Sequence, residues 1–223
     1  VIALKWIQKL ERKFGRYAIQ DLMLYIVILH AVVFFTNFLV PQSNLYGKFA
    51  LIPSRVLHGE IWRLVTFLFL PSTTSPIQIV FTLYFYYLVG SNLEHQWGSF
   101  RFNLYYLIGV LSTIAAAFIG RSPVTAEHLN LSLFLAFAYL FPNFEILLFF
   151  ILPIKVKYIG WFNWAFLVCS ILFNPLPWKL SAVASVVNYL VFFGPDLIQG
   201  LKLRRITYKN RKRFRDASRK NRW

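Results

Sequence analysis

The sequence predicts an all-α membrane protein of six transmembrane helices, with an interfacial first loop and a short central fourth helix. Three observations carry this expectation. The 223 residues are 58% hydrophobic and only 14% charged, well below the usual quarter for a soluble domain. Several apolar runs approach or exceed the ~18–20 residues that cross a bilayer. The formal net charge of +16 is concentrated at the two ends of the chain. In a soluble protein that charge would suggest nucleic acid. Here the positive-inside rule places both ends in the cytosol, so the number of spans is even.

Three regions are expected: a cytosolic amphipathic helix at 1–20, a six-span domain at 21–200 and a basic cytosolic tail at 201–223. In the first, Ile2, Trp6, Leu10, Phe14 and Tyr17 recur every three or four positions, with Lys5, Lys9, Arg12 and Arg16 largely off that stripe. Such a helix can lie flat on the membrane face. The alternative is a plain charged leader. The first apolar run is too long for a signal-peptide core, so no cleavable signal is expected.

Span one covers about 22–40 and stops at Pro41; it carries His30 and Asn37. A histidine in a membrane helix is either functional or bonded to a neighbouring helix. Residues 41–76 alternate apolar with charged side chains and suit short helices half-sunk in the outer leaflet. Span two covers about 77–93 and span three about 102–120. The short link between them makes the two antiparallel neighbours. Span four, Leu129 to Phe141, has thirteen residues. At 1.5 Å each it reaches about 20 Å against a core of about 30 Å, so its neighbours must shield it or the bilayer must thin. Residues 144–154 are apolar but too short to cross, and are expected as a cytosolic interfacial helix. Span five follows at about 158–174, a tight turn at Asn174–Lys179, and span six from about 180 into the 190s. This layout puts nineteen of the 24 Lys and Arg residues on the cytosolic side.

The stretch from Gly59 to Arg101 adds a more specific signal. Charged and aromatic clusters bracket span two: Ile61-Trp62-Arg63-Leu64-Val65-Thr66-Phe67-Leu68-Phe69 before it, Leu93-Glu94-His95-Gln96-Trp97-Gly98-Ser99-Phe100-Arg101 after it. Trp is favoured where bilayer meets water, and Arg can run its stem along apolar surface with its head wet. The residues Trp62, Arg63, Thr66, Phe69, Leu93, Glu94, Gly98 and Ser99 give a pattern that resembles the rhomboid superfamily. That superfamily holds intramembrane serine proteases and inactive relatives such as the Derlins, and the Trp62-Arg63 run is most similar to the Derlin form. The resemblance implies a structural role for Trp62, Arg63, Glu94, Gly98 and Arg101. It implies that Glu94 hydrogen-bonds within its loop and braces the fold. It also implies a central fourth helix wrapped by the others, with water entering above it.

A rhomboid protease carries Gly-x-Ser-Gly at the top of span four and a histidine base on span six. A base within reach is what makes a serine hydroxyl nucleophilic at neutral pH. Span two supplies oxyanion donors, at sixteen and twelve residues before the glutamate. This chain has His128-Leu129-Asn130-Leu131-Ser132-Leu133 at span four, no histidine after His128, and Gln78 and Thr82 at the two oxyanion positions. Asn188 is the nearest polar residue to the missing base. No catalytic residue is therefore assigned. No metal-ligand spacing occurs among His30, His58, His95 and His128, and no cofactor is expected.

Gln78, Thr82, Asn130, Ser132 and Asn188 remain as polar groups inside the membrane region. They either tie helices together or line a wet cavity that takes the transmembrane helix of a client protein. The favoured reading is a rhomboid-like pseudoprotease that binds such clients without cutting them. An active protease with a non-standard His128–Ser132 dyad is the first alternative. A small-solute transporter is the second, although no internal repeat supports it. Expected partners are membrane lipids, client helices and a cytosolic protein on the basic tail; nucleic acid is disfavoured. Both the bacterial plasma membrane and the endoplasmic reticulum suit this layout.

Overall fold

The computed structural model describes residues 5–148 and 152–194, together with Lys202, Thr207 and Arg211. Ile2, the stretch beyond Gly194 and nearly all of the basic tail lie outside the described residues.

The chain runs through α1 (Lys5–Phe14), α2 (Leu22–Leu39), three short helices α3 (Leu45–Phe49), α4 (Pro53–Leu57) and α5 (Arg63–Thr66), then α6 (Pro76–Trp97), α7 (Ser99–Gly120) and α8 (Glu127–Leu140). A two-stranded hairpin, β1 (Glu145–Leu148) and β2 (Leu152–Lys155), precedes α9 (Val156–Phe173). The last helix, α10, is Leu176–Gly194. Four of these, α2, α7, α9 and α10, are long and apolar enough to cross a membrane. The protein is thus an integral, multi-spanning membrane bundle.

The distribution of apolar side chains explains why. On α2, Met23, Ile26, His30 and Val33 face the bundle, while Tyr25, Ile28, Val32 and Phe35 are exposed on the opposite side. Both stripes have helical spacing and both are apolar, which a water-facing helix would not tolerate. The same holds for α9, where Trp161, Phe162, Phe166 and Phe173 point outward. Lipid replaces water as the outer solvent.

α8 sits at the centre. It packs on α6, α7 and α9, and α10 reaches it through Ser185 Oγ, which donates to the His128 carbonyl at 2.6 Å. Leu129, Asn130 and every residue from Ser132 to Phe137 are buried, so the helix is covered nearly all round. Its fourteen residues span only about 21 Å, as the short central helix predicts.

α6 and α7 are joined by one residue. Gly98 has φ +84, a conformation open to glycine at little cost. Its N–H closes α6 on the Glu94 carbonyl at 2.8 Å, and its carbonyl opens α7 by accepting from Phe102 at 3.2 Å. Helix α6 therefore extends four residues beyond the expected end at 93. Glu94 belongs to that helix, not to a loop. Its carboxylate accepts the Asp21 N–H at 2.9 Å, at the N-terminus of α2. The carboxylate thus bonds not within its own loop, as the resemblance implied, but to the start of another helix, where N–H groups lack partners.

Where an interfacial helix was expected over 144–154, Glu145–Leu148 and Leu152–Lys155 pair as strands β1 and β2, so the described residues are predominantly α-helical with this exception. Glu145 pairs with Lys155 and Leu147 with Pro153 in an antiparallel register. Pro153 would break a helix there by removing a donor and clashing with the preceding turn. The flanking Ile and Phe residues also favour extended backbone. Val156 then donates to the Phe144 carbonyl at 2.8 Å, so the hairpin leads directly into α9. The expected turn at 174–179 is shorter than its prolines suggested. α10 begins at Leu176, because Pro177 in a first turn lacks only an N–H that would be unpaired anyway.

Candidate functional site

The segment between α2 and α6 is one hydrogen-bonded unit built around Arg63. This side chain is 1% exposed. Its Nη1 donates to the Gly47 carbonyl at 2.9 Å and to the Ala50 carbonyl at 2.8 Å, and its Nε pairs with the Glu60 carboxylate. Thr66 Oγ1 donates to the Phe49 carbonyl at 3.1 Å. The Tyr46 hydroxyl donates to the Thr73 carbonyl at 3.3 Å, and burial raises the pKa of this phenol above its ordinary value. Val124, in the loop between α7 and α8, donates to the Leu51 carbonyl at 3.0 Å. Trp62 is exposed beside this unit. Arg101, at the other end of α6–α7, holds Glu11 of α1 through Nε at 3.1 Å and Nη2 at 2.9 Å.

Two of the five sequence-predicted cavity residues meet in the core. Asn188 Nδ2 of α10 donates to Ser132 Oγ of α8 at 3.0 Å. Ser132 Oγ donates in turn to the Leu129 carbonyl at 2.9 Å. The Tyr105 hydroxyl of α7 donates to the Ser132 carbonyl at 2.9 Å. Ser132 is 0% and Asn188 1% exposed. Gly109 makes this junction tight: a Cβ there would lie 2.3 Å from Leu129 Cδ1 and 2.7 Å from Asn188 Nδ2. The Tyr105 hydroxyl also donates to Ser132 Oγ at 3.3 Å, and between α8 and α10 the contact is thus one amide donating to one hydroxyl. An amide nitrogen has no basic lone pair to take that hydroxyl's proton.

The other three lie elsewhere. Gln78 is exposed on α6 and accepts from Thr73 Oγ1 at 2.9 Å. Thr82 Oγ1 donates back to the Gln78 carbonyl at 3.0 Å. Asn130 lines a groove of about 250 Å³ with Phe85 and Tyr86 of α6, Glu127, Leu131 and Phe134 of α8, and Ile159 and Asn163 of α9. Helices α6 and α9 flank α8 on either side of this groove. Asn130 is 9% exposed, and its Oδ1, like Asn188 Oδ1, has no hydrogen-bond partner among the described residues. A second cavity of about 180 Å³ sits over the same end of α8, walled by Ser122, Thr125, Glu127, His128, Trp178 and Ser181 among others. The His128 ring lies 6.2 Å from the Trp178 ring.

A family model described as "Rhomboid domain" matches residues 58–191. The chain belongs to the rhomboid family. The matched region starts just before the Arg63 cluster and ends within α10, so the rhomboid domain contains α6 to α9, the groove and the Ser132–Asn188 contact. No curated protein and no solved structure matches the chain. Sequence reasoning missed Glu127, Tyr105 and Asn163. For Glu127 a signal was present: positions 127, 130, 131 and 134 form one helical stripe, visible once α8 is recognised as a helix starting there. Tyr105 carried no such signal, since a tyrosine in a membrane helix reads as packing.

Proposed function

We propose that this rhomboid-family protein binds transmembrane segments of client proteins without cutting them, and that the groove between α6 and α9 is where they dock. In this reading six helices cross the membrane, α6 and α8 being the two beyond the four longest apolar ones, and both termini face the cytosol. The observation that carries the non-catalytic part is the Ser132–Asn188 contact at 3.0 Å. The family's serine needs a base opposite it, and here the facing group on α10 is a carboxamide. The groove supports the binding part. Asn130 lines it and its buried Oδ1 has no partner among the described residues, and a client helix carrying glycine or polar residues has donors that lipid leaves unpaired. Its walls, Phe85, Leu131, Phe134 and Ile159, suit an apolar helix. Such a protein would act in client retention, quality control or trafficking, as Derlin-like relatives do.

The test has two arms. Purified protein in nanodiscs is treated with a fluorophosphonate probe beside an active rhomboid. The expected result is no labelling with the control labelled; labelling that disappears in Ser132→Ala makes it a protease instead. In the second arm the native Cys169, which is exposed, is replaced by Ser. A single cysteine placed at Asn163 should then crosslink to a client helix, and one placed at Phe35 on α2 should not.

A further inference from the structure

The stripe of α8 that faces the groove is graded along its length. Glu127 stands at its outer end, Asn130 one turn further in, Leu131 beside it, and Phe134 one more turn down. At 1.5 Å per residue the charged and carboxamide positions are about 4.5 Å apart along the axis, and the phenylalanine is about 10 Å below the carboxylate.

Glu127 has no cation within ion-pairing distance among the described residues. The ion pairs there are Arg63–Glu60, Arg101–Glu11 and Lys155–Glu145. Arg121 and Lys179 lie in neighbouring segments, at the end of α7 and in the first turn of α10, yet neither pairs with it. The Glu127 side chain borders both the groove and the cavity above it. A carboxylate at the first helical position is favoured there by the helix dipole, which explains its tolerance at that end but not its place on the groove. The second feature is independent: Asn130, 9% exposed and on the same stripe, has a buried Oδ1 with no hydrogen-bond partner among the described residues.

We infer that the groove selects transmembrane segments that carry a Lys or Arg at their outer end and a hydrogen-bonding residue about one helical turn further into the membrane. Glu127 takes the cation. Asn130 takes the donor. Leu131 and Phe134 take the apolar remainder. The inference rests on the groove reading above and adds the class of client to it. Charge complementarity of this kind fixes partner choice and register more than raw affinity.

The experiment uses the full chain in proteoliposomes and synthetic Leu/Ala transmembrane peptides labelled for energy transfer. All carry one Asn; three residues outward stands Lys, Gln or Glu. The Lys peptide should bind about fivefold more tightly than the Gln peptide, the scale of a partly exposed ion pair. Glu127→Gln should erase that difference, and Glu127→Lys should reverse it in favour of the Glu peptide. Leu131→Trp, which fills the groove, should abolish binding of all three. Equal binding of the Lys and Gln peptides, still abolished by Leu131→Trp, overturns charge selection and leaves the groove as a binding site. Binding by none of the peptides, or binding untouched by Leu131→Trp, overturns the groove reading and the selection with it.

Discussion

Replacing Arg63 with Ala should be among the most damaging single changes outside the transmembrane core. The guanidinium is almost fully enclosed and satisfies three acceptors at once: the Gly47 and Ala50 carbonyls and the Glu60 carboxylate. Truncation leaves two carbonyls inward-facing and unpaired, and one carboxylate without its cation. Each neutral group left unsatisfied costs about 1–3 kcal/mol. Glu60 is about a third exposed, so water recovers much of its share. The total expected is about 3–5 kcal/mol. Arg63→Lys keeps the charge but cannot reach all three acceptors in one plane, and should cost about half as much.

The loss should be local before it is global. Lys48 N–H bonds to the Asn44 carbonyl and Ala50 N–H to the Tyr46 carbonyl, both in α3 beside the guanidinium. In hydrogen–deuterium exchange these amides should exchange about two orders of magnitude faster in Arg63→Ala, while those of α7 and α8 change little. Equilibrium unfolding of the detergent-solubilised protein gives the total. An Arg63→Ala protein within about 0.5 kcal/mol of the parent, with α3 exchange unchanged, would refute the reasoning and leave the buried guanidinium without a structural task.

Three further changes test other joints. Gly109→Ala should destabilise by about 1–3 kcal/mol through overpacking, because its new Cβ would meet Leu129 and Asn188; near-native unfolding would mean that α7 and α8 can separate at no cost. Glu94→Ala should expose the Asp21 amide, which bonds to that carboxylate, to faster exchange and cost about 1.5–3 kcal/mol, whereas Glu94→Gln keeps an acceptor and should cost less. Lys155→Ala should change stability by less than about 0.5 kcal/mol, since its 3.9 Å contact with Glu145 lies between two half-exposed side chains; a larger loss would give the hairpin an electrostatic clasp that its geometry does not suggest.

The bundle was legible because lipid imposes simple rules on sequence. Long apolar runs mark α2, α7, α9 and α10, and the short run ending before Pro142 marks the central α8. Arg63 and Glu94 could be singled out through the motif that resembles the rhomboid superfamily. Their partners could not be named. The Gly47 and Ala50 carbonyls and the Asp21 N–H are backbone groups, and nothing in their side chains advertises the contact. The hairpin was missed for a related reason: a run of eleven residues that is apolar except for Glu145 and Pro153 carries no periodicity that separates a buried helix from strands, and only Pro153 argued against the helix.

Ser132 and Asn188 show where side-chain chemistry stops being enough. Polar residues on two membrane helices predict either a wet cavity or a closed pair, and type alone does not choose. Gly109 decides it. Without a Cβ on α7, Leu129 and Asn188 move into the space a side chain would hold, and the amide reaches the hydroxyl at 3.0 Å with both residues sealed. The pair leaves Asn188 Oδ1 without a partner among the described residues, but that amide is 1% exposed in the core and is not among the residues lining the groove. Asn130, two residues earlier on the same helix, turns toward the opposite side and keeps an oxygen unpartnered. One short helix thus carries one polar face sealed in the core and one that borders a groove. Any client that this protein holds by hydrogen bonds should be sensitive to Asn130→Leu and nearly indifferent to Asn188→Leu wherever the latter still folds. The reverse result would place the binding site over the Ser132 junction and require α8 and α10 to part.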